Sequence, residues 1–271
     1  RTMQFRDLDW NQMWQEARKG KSWRGRKKDD WDKRAPSFAK RNMQSLYATR
    51  FLDLLRPDPT WTALDFGAGP GTLALPLAKM VSEVTATDFS TAMLDILNQE
   101  AATLGVNNIH TVQAAWEDDW LQLGIKPHDL VIASRSLSVD NLQAALTRMN
   151  DWATKRVVIS DRVGTGPFDP DLFAAAGRAL EPGPDYIYTV NILYQMGIQA
   201  EINYINLDQQ RIYTNRDEAI DACRWMLGKT SPDEETALAR YVDDRLEPLP
   251  DGMFALSRRT PIRWAVISWN K

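Results

Sequence analysis

Residues 61–81 read Trp61-Thr-Ala-Leu-Asp65-Phe66-Gly67-Ala68-Gly69-Pro70-Gly71-Thr72-Leu-Ala-Leu-Pro-Leu-Ala-Lys-Met-Val81. Trp61–Phe66 is an apolar run of strand length, and Thr72–Val81 resumes with helical spacing. Between them, Gly67, Gly69 and Gly71 permit backbone angles that other residues resist and let a ligand approach the main chain. The N-terminus of the helix behind the turn offers free N–H groups and a positive dipole end, which suit a carboxylate or phosphate. A glycine pattern alone is weak; strand before and helix after are the context it requires.

Outward from this turn, strands and helices alternate. Glu83–Asp88 reads as a second strand, and Ser90 caps a helix ending near Leu104, where Gly105 stops it. Ile109–Gln113, Asp129–Ser134 and Arg156–Ser160 read as further strands, with a helix over Leu142–Trp152. Such alternation with apolar, β-branched strands predicts a parallel sheet covered on both faces. Upstream, Ser37 to Leu55 carries a helical rhythm through Phe38, Leu46, Phe51, Leu54 and Leu55, with Ser37 as its cap and Pro57 and Pro59 ending it. Residues 1–37 are polar and aromatic and give no clear periodicity. After Asp161, glycines and prolines mark a loop. Beyond it, helices are expected over Asp171–Leu180, Tyr186–Met196, Thr214–Leu227 and Ser231–Leu246. Strands are expected over Ala200–Ile205 and Ile262–Trp269.

Two details narrow the ligand. A dinucleotide turn reads Gly-x-Gly-x-x-Gly and would place its last glycine at position 72, where Thr72 stands; Gly71 comes one residue earlier. The spacing Asp-x-Gly-x-Gly-x-Gly favours S-adenosyl-L-methionine (SAM) over NAD. Asp88, ending the second strand, faces the same crevice and is placed to accept from both ribose hydroxyls.

The stretch Leu64–Ala78, with Ala86-Thr87-Asp88-Phe89-Ser90, resembles the class I SAM-dependent methyltransferase family. It is most similar to the small-molecule (type 11/25-like) branch, and the resemblance spans about residues 35–162. It implies an α/β fold: a Rossmann-like, seven-stranded, mostly parallel sheet with helices on both faces, an antiparallel last strand and an α-rich insertion late in the chain. The implied organisation is an N-terminal helical segment over the cofactor site (1–56), a SAM-binding core (57–163), and a cap or substrate insertion with the final core strands (164–271).

The same resemblance implies the site. Gly67, Ala68 and Gly69 pack on the amino-acid part of SAM, and Asp65 holds the turn and reaches the ligand's amine through water. Asp88 binds the ribose, and Phe89 lies against the adenine. Ala115-Trp116-Glu117 matches the loop edging the adenine. Many members carry an acid where Ala115 stands, so Glu117 is inferred to bind the adenine amine, with Trp116 giving its N–H or a stacking face, unless it simply packs beneath the loop. Ser134 and Arg135 stand at the carboxyl end of the fourth strand, beside the expected methyl group. Trp31 and Arg34 resemble a segment folding over SAM.

Methyl transfer from a sulfonium asks the protein mainly to align the acceptor and exclude water. A base is needed only where the acceptor must lose a proton early. Glu117, Asp118, Asp119 and His128 are the residues to test for it, although His128 reads more simply as a loop residue before a strand. The Asn/Asp-Pro-Pro-Tyr/Phe motif for amino-group transfer is absent at Ala133-Ser134-Arg135-Ser136. The long region from Gly164 to Met253 is expected to cap an acceptor pocket lined by Tyr186, Tyr188, Tyr194 and Trp225.

Composition excludes other classes. One cysteine, Cys223, rules out intrachain disulfides and two-thiolate sites, and two histidines make a multi-His metal site implausible; no metal is expected. The net charge of -3 disfavours nucleic acid, whose partners usually show a basic face; only residues 18–28 look basic, read as a solvated arm. No apolar run approaches the roughly 18 residues of a membrane span, and the start lacks a signal peptide's apolar stretch. The expected protein is cytoplasmic, monomeric or homodimeric, acting on a small-molecule acceptor and leaving S-adenosyl-L-homocysteine (SAH). A methyltransferase of tRNA or protein, a non-catalytic SAM-binding protein and a nicotinamide oxidoreductase are the rivals.

Overall fold

The computed structural model describes residues 2–21, 27–42, 45–207 and 210–271. Its helices are α1 (Trp10–Lys19), α2 (Lys28–Asn42), α3 (Leu46–Leu55), α4 (Ala74–Leu77), α5 (Thr91–Leu104), α6 (Leu142–Trp152), α7 (Pro170–Ala175), α8 (Tyr186–Gln195), α9 (Arg216–Leu227) and α10 (Pro232–Asp243). Its strands are β1 (Thr62–Phe66), β2 (Glu83–Asp88), β3 (Ile109–Gln113), β4 (His128–Ser134), β5 (Ala153–Arg162), β6 (Glu201–Asn206), β7 (Gln210–Tyr213), β8 (Leu246–Pro248), β9 (Phe254–Ser257) and β10 (Arg263–Asn270).

Seven strands form one sheet in the order β3-β2-β1-β4-β5-β10-β6. β1, β2, β3, β4 and β5 run parallel, and β10 is antiparallel to both β5 and β6. The expected Rossmann-like sheet with an antiparallel last strand is therefore present. β1 and β4 are buried on both faces, as strands sandwiched by helices must be. One face packs Leu64, Phe66, Val131, Val157 and Ile267 against α6, α8, Trp14 of α1 and Trp120. The other packs Ala63, Val84, Ile132 and Val266 against Tyr47, Phe51 and Leu55 of α3 and against α4. Truncating one of the large side chains in either layer costs about 3–5 kcal/mol.

The N-terminal segment thus straddles the sheet, with α1 on one face and α3 on the other. The helix expected from Ser37 to Leu55 is two helices. Ser37 lies inside α2, and the cap is Ser45, whose Oγ accepts from Ala48 N at 3.2 Å. The side chain of Phe38 and the basic residues 22–26 lie outside the described residues.

Helix α4 is shorter than Thr72–Val81. Its tail tightens into i→i+3 bonds at Lys79 and Met80, because Ser82 N must already bond Trp61 O at 2.8 Å to enter β2. The region expected as an insertion is not purely helical. β7, β8 and β9 form a small sheet of order β7-β9-β8, packed with α7, α9 and α10 around Phe173, Cys223, Leu238, Tyr241 and Leu256. Periodicity alone misses those strands because each is only three or four residues long.

Candidate active site at the carboxyl edge

The glycine turn sits where β1 ends. Gly67, Gly69 and Gly71 all have positive φ, at 75°, 57° and 91°. A Cβ on Gly67 would lie 2.6 Å from Ser136 Cβ, and one on Gly71 would lie 2.9 Å from Leu97 Cγ, so neither position tolerates a side chain. Asp88 clamps the turn: its Oδ2 accepts from Gly69 N and its Oδ1 from Ser90 N, both at 2.9 Å. Each oxygen keeps a lone pair for a further donor. Burial raises the Asp88 pKa against the pull of these N–H groups.

Asp65 is 1% exposed, and its Oδ2 has no hydrogen-bond partner. Burial, with the Asp88 charge adding to it, pushes its carboxyl up to about 7. A buried carboxylate oxygen lacking a donor is costly unless a ligand supplies one. Phe89 is half-buried, and its carbonyl accepts from Gln113 Nε2 at 3.2 Å.

The loop after β3 is held from beneath. Trp116 packs on Phe66 at a tilt of 43°, with centroids 4.0 Å apart, and gives its N–H to Ser136 O at 3.1 Å. The indole therefore packs, and its donor is already taken. Arg148 binds the carbonyls of Trp116 and Asp118, and Ala115 N donates to Asp118 Oδ2 at 2.8 Å. Ala115 is left at the loop's rim and Glu117 is exposed.

At the end of β4, sequence reasoning missed a buried polar knot. The Tyr47 hydroxyl lies 2.7 Å from Ser134 Oγ and 2.5 Å from Ser160 Oγ. Ser160 Oγ also accepts from Arg135 N at 3.0 Å. Tyr47 reads as one more apolar position of α3; only its phenol would have hinted at the edge. The Arg135 guanidinium lies 4.1 Å above the Tyr47 ring and 5.7 Å from that of Trp264.

Trp31 and Arg34 of α2 reach across this edge. Ser90 Oγ donates to Asp32 of the same helix, which fixes α2 beside the start of α5. Trp31 meets Trp225 of α9 edge-on at 6.2 Å, and the Arg34 cation lies 3.7 Å from the same indole.

Several expected residues are elsewhere. Tyr186 hydrogen-bonds Tyr204 at 2.9 Å on β6, at the far edge of the sheet from β3. Tyr194 is 61% exposed and packs on Phe5, and Tyr188 packs on Trp10 and Trp14. Helix α8 covers a sheet face through Ile192 and Leu193, and the contacts described for Tyr186 and Tyr194, both expected to line the substrate, are with Tyr204 and Phe5. His128 begins β4, at the opposite edge from the glycine turn, buried with Nε2 2.8 Å from Thr85 Oγ1, so it is no base for this site. Asp118 and Asp119 are spent on their own loop. Burial pushes the Cys223 thiol up to about 12, an inert side chain in the insertion's core. Among the described residues, no group of three or more His, Cys, Asp or Glu is placed to hold a metal.

A parallel sheet with reversed order at β1/β4, a glycine turn at that switch point and an acid ending the neighbouring strand define a nucleoside-binding α/β protein. Comparison with known proteins carries this further. Residues 63–155 match the methyltransferase domain family. An uncharacterised Haemophilus influenzae protein is 32% identical over 246 residues, covering 89% of this chain and 88% of that one. An uncharacterised RNA methyltransferase of Enterococcus faecalis is 33% identical over 111 residues, 40% of this chain and 24% of its own length. Among solved structures, a Bacillus halodurans candidate methyltransferase shares the fold at a TM-score of 0.56 with 11% identity, covering 83% of this chain and 98% of that one. The chain belongs to the class I SAM-dependent methyltransferase family and is a SAM-dependent methyltransferase. The residues fit the cofactor. Asp65 offers an orphaned buried oxygen, and the positive φ of Gly67, Gly69 and Gly71 gives the turn a backbone shape that side chains resist.

Proposed function

We propose that this chain methylates a small-molecule acceptor bound between the carboxyl edge of β4 and the insertion. The contact of Trp225 with both Trp31 and Arg34 carries the reading. It joins the N-terminal crossing to the insertion above the glycine turn, a roof that suits a compact acceptor and excludes water. Residues 1–56 and 164–271 then act as lid and cap on a core at 57–163.

Bound SAM supplies an activated methyl group, which passes to the acceptor by in-line displacement. The chain's own part is binding and alignment. Asp65 takes the cofactor's amine, and the backbone of Gly67, Ala68 and Gly69 lies along its amino-acid part. Asp88 accepts from the ribose with its remaining lone pairs, and Phe89 flanks the adenine. The rim of Ala115 and Trp116, with exposed Glu117, borders the base. Ser134 and Arg135 face the acceptor, and Trp31 closes over it. No residue is assigned as a general base.

The test is methyl incorporation from labelled SAM into a fractionated cell extract. Label in the low-mass fraction supports the reading; label confined to RNA or protein overturns it. An RNA acceptor is the second reading, favoured by the partial Enterococcus likeness and the basic residues of 18–28. It predicts steep weakening of RNA binding with salt.

A further inference from the structure

We propose that Ser134 presents its hydroxyl hydrogen to the acceptor, and that Tyr47 is the positioning residue that holds it in that sense. The acceptor is then one that offers a carbonyl or carboxylate oxygen beside the atom taking the methyl. This rests on the reading of the carboxyl edge as the acceptor site.

Three hydroxyls, each with a single hydrogen, meet towards the ends of β4 and β5. Tyr47 Oη stands 2.7 Å from Ser134 Oγ and 2.5 Å from Ser160 Oγ. Ser160 Oγ also accepts from Arg135 N at 3.0 Å, a link that uses none of the three hydrogens. These hydroxyls have no further hydrogen-bond partner among the described residues. Two hydroxyl links therefore draw on three hydrogens, and one hydrogen is left over.

Burial decides whose hydrogen it is. Tyr47 is 1% exposed and Ser160 is 0% exposed, whereas Ser134 is half-buried. If Ser134 donated to Tyr47 and Tyr47 to Ser160, the spare hydrogen would belong to Ser160, sealed in the core without an acceptor. If both serines donated to Tyr47, the spare would be the phenol's, sealed equally. A buried donor with nothing to bind is costly. The order Ser160 to Tyr47 to Ser134 puts the spare hydrogen on the one accessible residue of the three, where β4 ends.

The chemistry of the chain fits a donor and not a base. Burial, with Asp65 adding to it, raises the Tyr47 phenol above its ordinary value against the pulls of Arg135, Ser134 and Ser160. Tyr47 therefore keeps its proton at neutral pH. The partners of Ser160 Oγ are Tyr47 and a backbone N–H, with neither carboxylate nor imidazole behind them to take a proton from the acceptor. The Arg135 guanidinium lies 4.1 Å from the Tyr47 ring, so a cation rests on the same phenol that binds Ser134. A donor beside a cation suits an oxygen lone pair, above all a charged one.

Neutron diffraction from deuterium-exchanged crystals of the full chain with SAH reads the order directly. The deuterium of Ser160 is expected on the line to Tyr47 Oη, that of Tyr47 on the line to Ser134 Oγ, and that of Ser134 turned away from Tyr47. A Ser134 deuterium aimed at Tyr47 overturns the proposal. The consequence is read as the initial rate of methyl incorporation from labelled SAM into a low-mass cell extract. Ser134→Ala and Tyr47→Phe are expected to lower that rate tenfold or more while SAH affinity changes less than twofold. Ser134→Thr, which keeps a hydroxyl, should retain most of the rate. The double variant should be no slower than Ser134→Ala, because Tyr47 acts through Ser134. A merely structural Tyr47 would lower Tm and SAH affinity along with the rate and slow the double variant further. That pattern, or an unchanged rate in Ser134→Ala, also overturns the proposal. The reversed deuterium order with low-mass label present sinks this inference alone. A chain that binds SAH but labels nothing of low mass sinks the acceptor reading, and this inference with it.

Discussion

The guanidinium of Arg34, on α2, lies 3.7 Å from the indole of Trp225, on α9. With the edge-on contact of Trp31, it ties a helix from the start of the chain to one nearly 200 residues later. Partly desolvated cation–π pairs contribute roughly 0.5–2 kcal/mol. Arg34→Ala and Trp225→Ala are each expected to speed SAH dissociation severalfold, read by stopped-flow fluorescence. The double variant should be no faster than the more severe single one. Effects that multiply would show that the contact is not what closes the lid.

Gly67→Ala is expected to cripple the turn. Its Cβ would meet Ser136 Cβ at 2.6 Å with φ at 75°, so steric overlap adds to roughly 1–3 kcal/mol of backbone strain. For a chain of this size each kcal/mol lowers Tm by about 2–4 °C. Adding Ser136→Gly relieves the overlap but not the φ, at the cost of the Ser136 Oγ bond to Phe66 O. Calorimetric scans should therefore show partial recovery. A Gly67→Ala chain with unchanged Tm and SAH affinity would rule out close approach at this turn.

The core was legible because its signals are local. Strands β1 and β4 are short apolar runs, the helices that alternate with the strands carry caps at Ser90 and Asn141, and Gly67, Gly71 and Asp88 read directly as turn and acid. The seven-stranded sheet followed from the family likeness. What escaped is set by contacts distant in sequence. Tyr47 meets Ser160 across 113 residues, and no spacing announces that. Tyr186 and Tyr194 looked like pocket aromatics because type and rough position were all the sequence offered. Their faces were decided by Ile192 and Leu193, which turn α8 onto the sheet. Trp116 was half legible: packing beneath its loop was one of the two roles the sequence left open, and its N–H goes to Ser136.

Asp88→Ala removes a clamp as well as the ribose contact proposed for it. Gly69 N and Ser90 N both lose their acceptor, and leaving such groups unpaired costs about 1–3 kcal/mol. The variant should bind SAH some 5- to 150-fold more weakly and melt several degrees lower. Circular dichroism at the assay temperature verifies that it remains folded. Unaltered SAH affinity in a folded Asp88→Ala chain would remove Asp88 from the cofactor site.

If Asp65 takes the cofactor's amine as proposed, cofactor binding is expected to depend on pH. Its carboxyl, raised to about 7 by burial and then by Asp88, is mostly neutral at pH 6. An unfolded Asp titrates near 3.9, so between about pH 4 and 7 the native chain holds a proton that the unfolded chain has lost. That contribution to stability is fully present below the unfolded value and fades as pH rises towards 7. Binding has the opposite slope. A cationic amine beside the carboxylate favours its charged form, so ligand capture expels the proton. SAH affinity should rise from pH 6 to 7 and then level off. Calorimetry in two buffers of different ionisation enthalpy should register release of close to one proton at pH 6 and little at pH 8. In Asp65→Asn the carboxyl is gone, and both the slope and the released proton should vanish with it. If the unaltered chain binds SAH with the same affinity and no proton release across this range, the amine does not meet Asp65, and its orphaned oxygen serves something else.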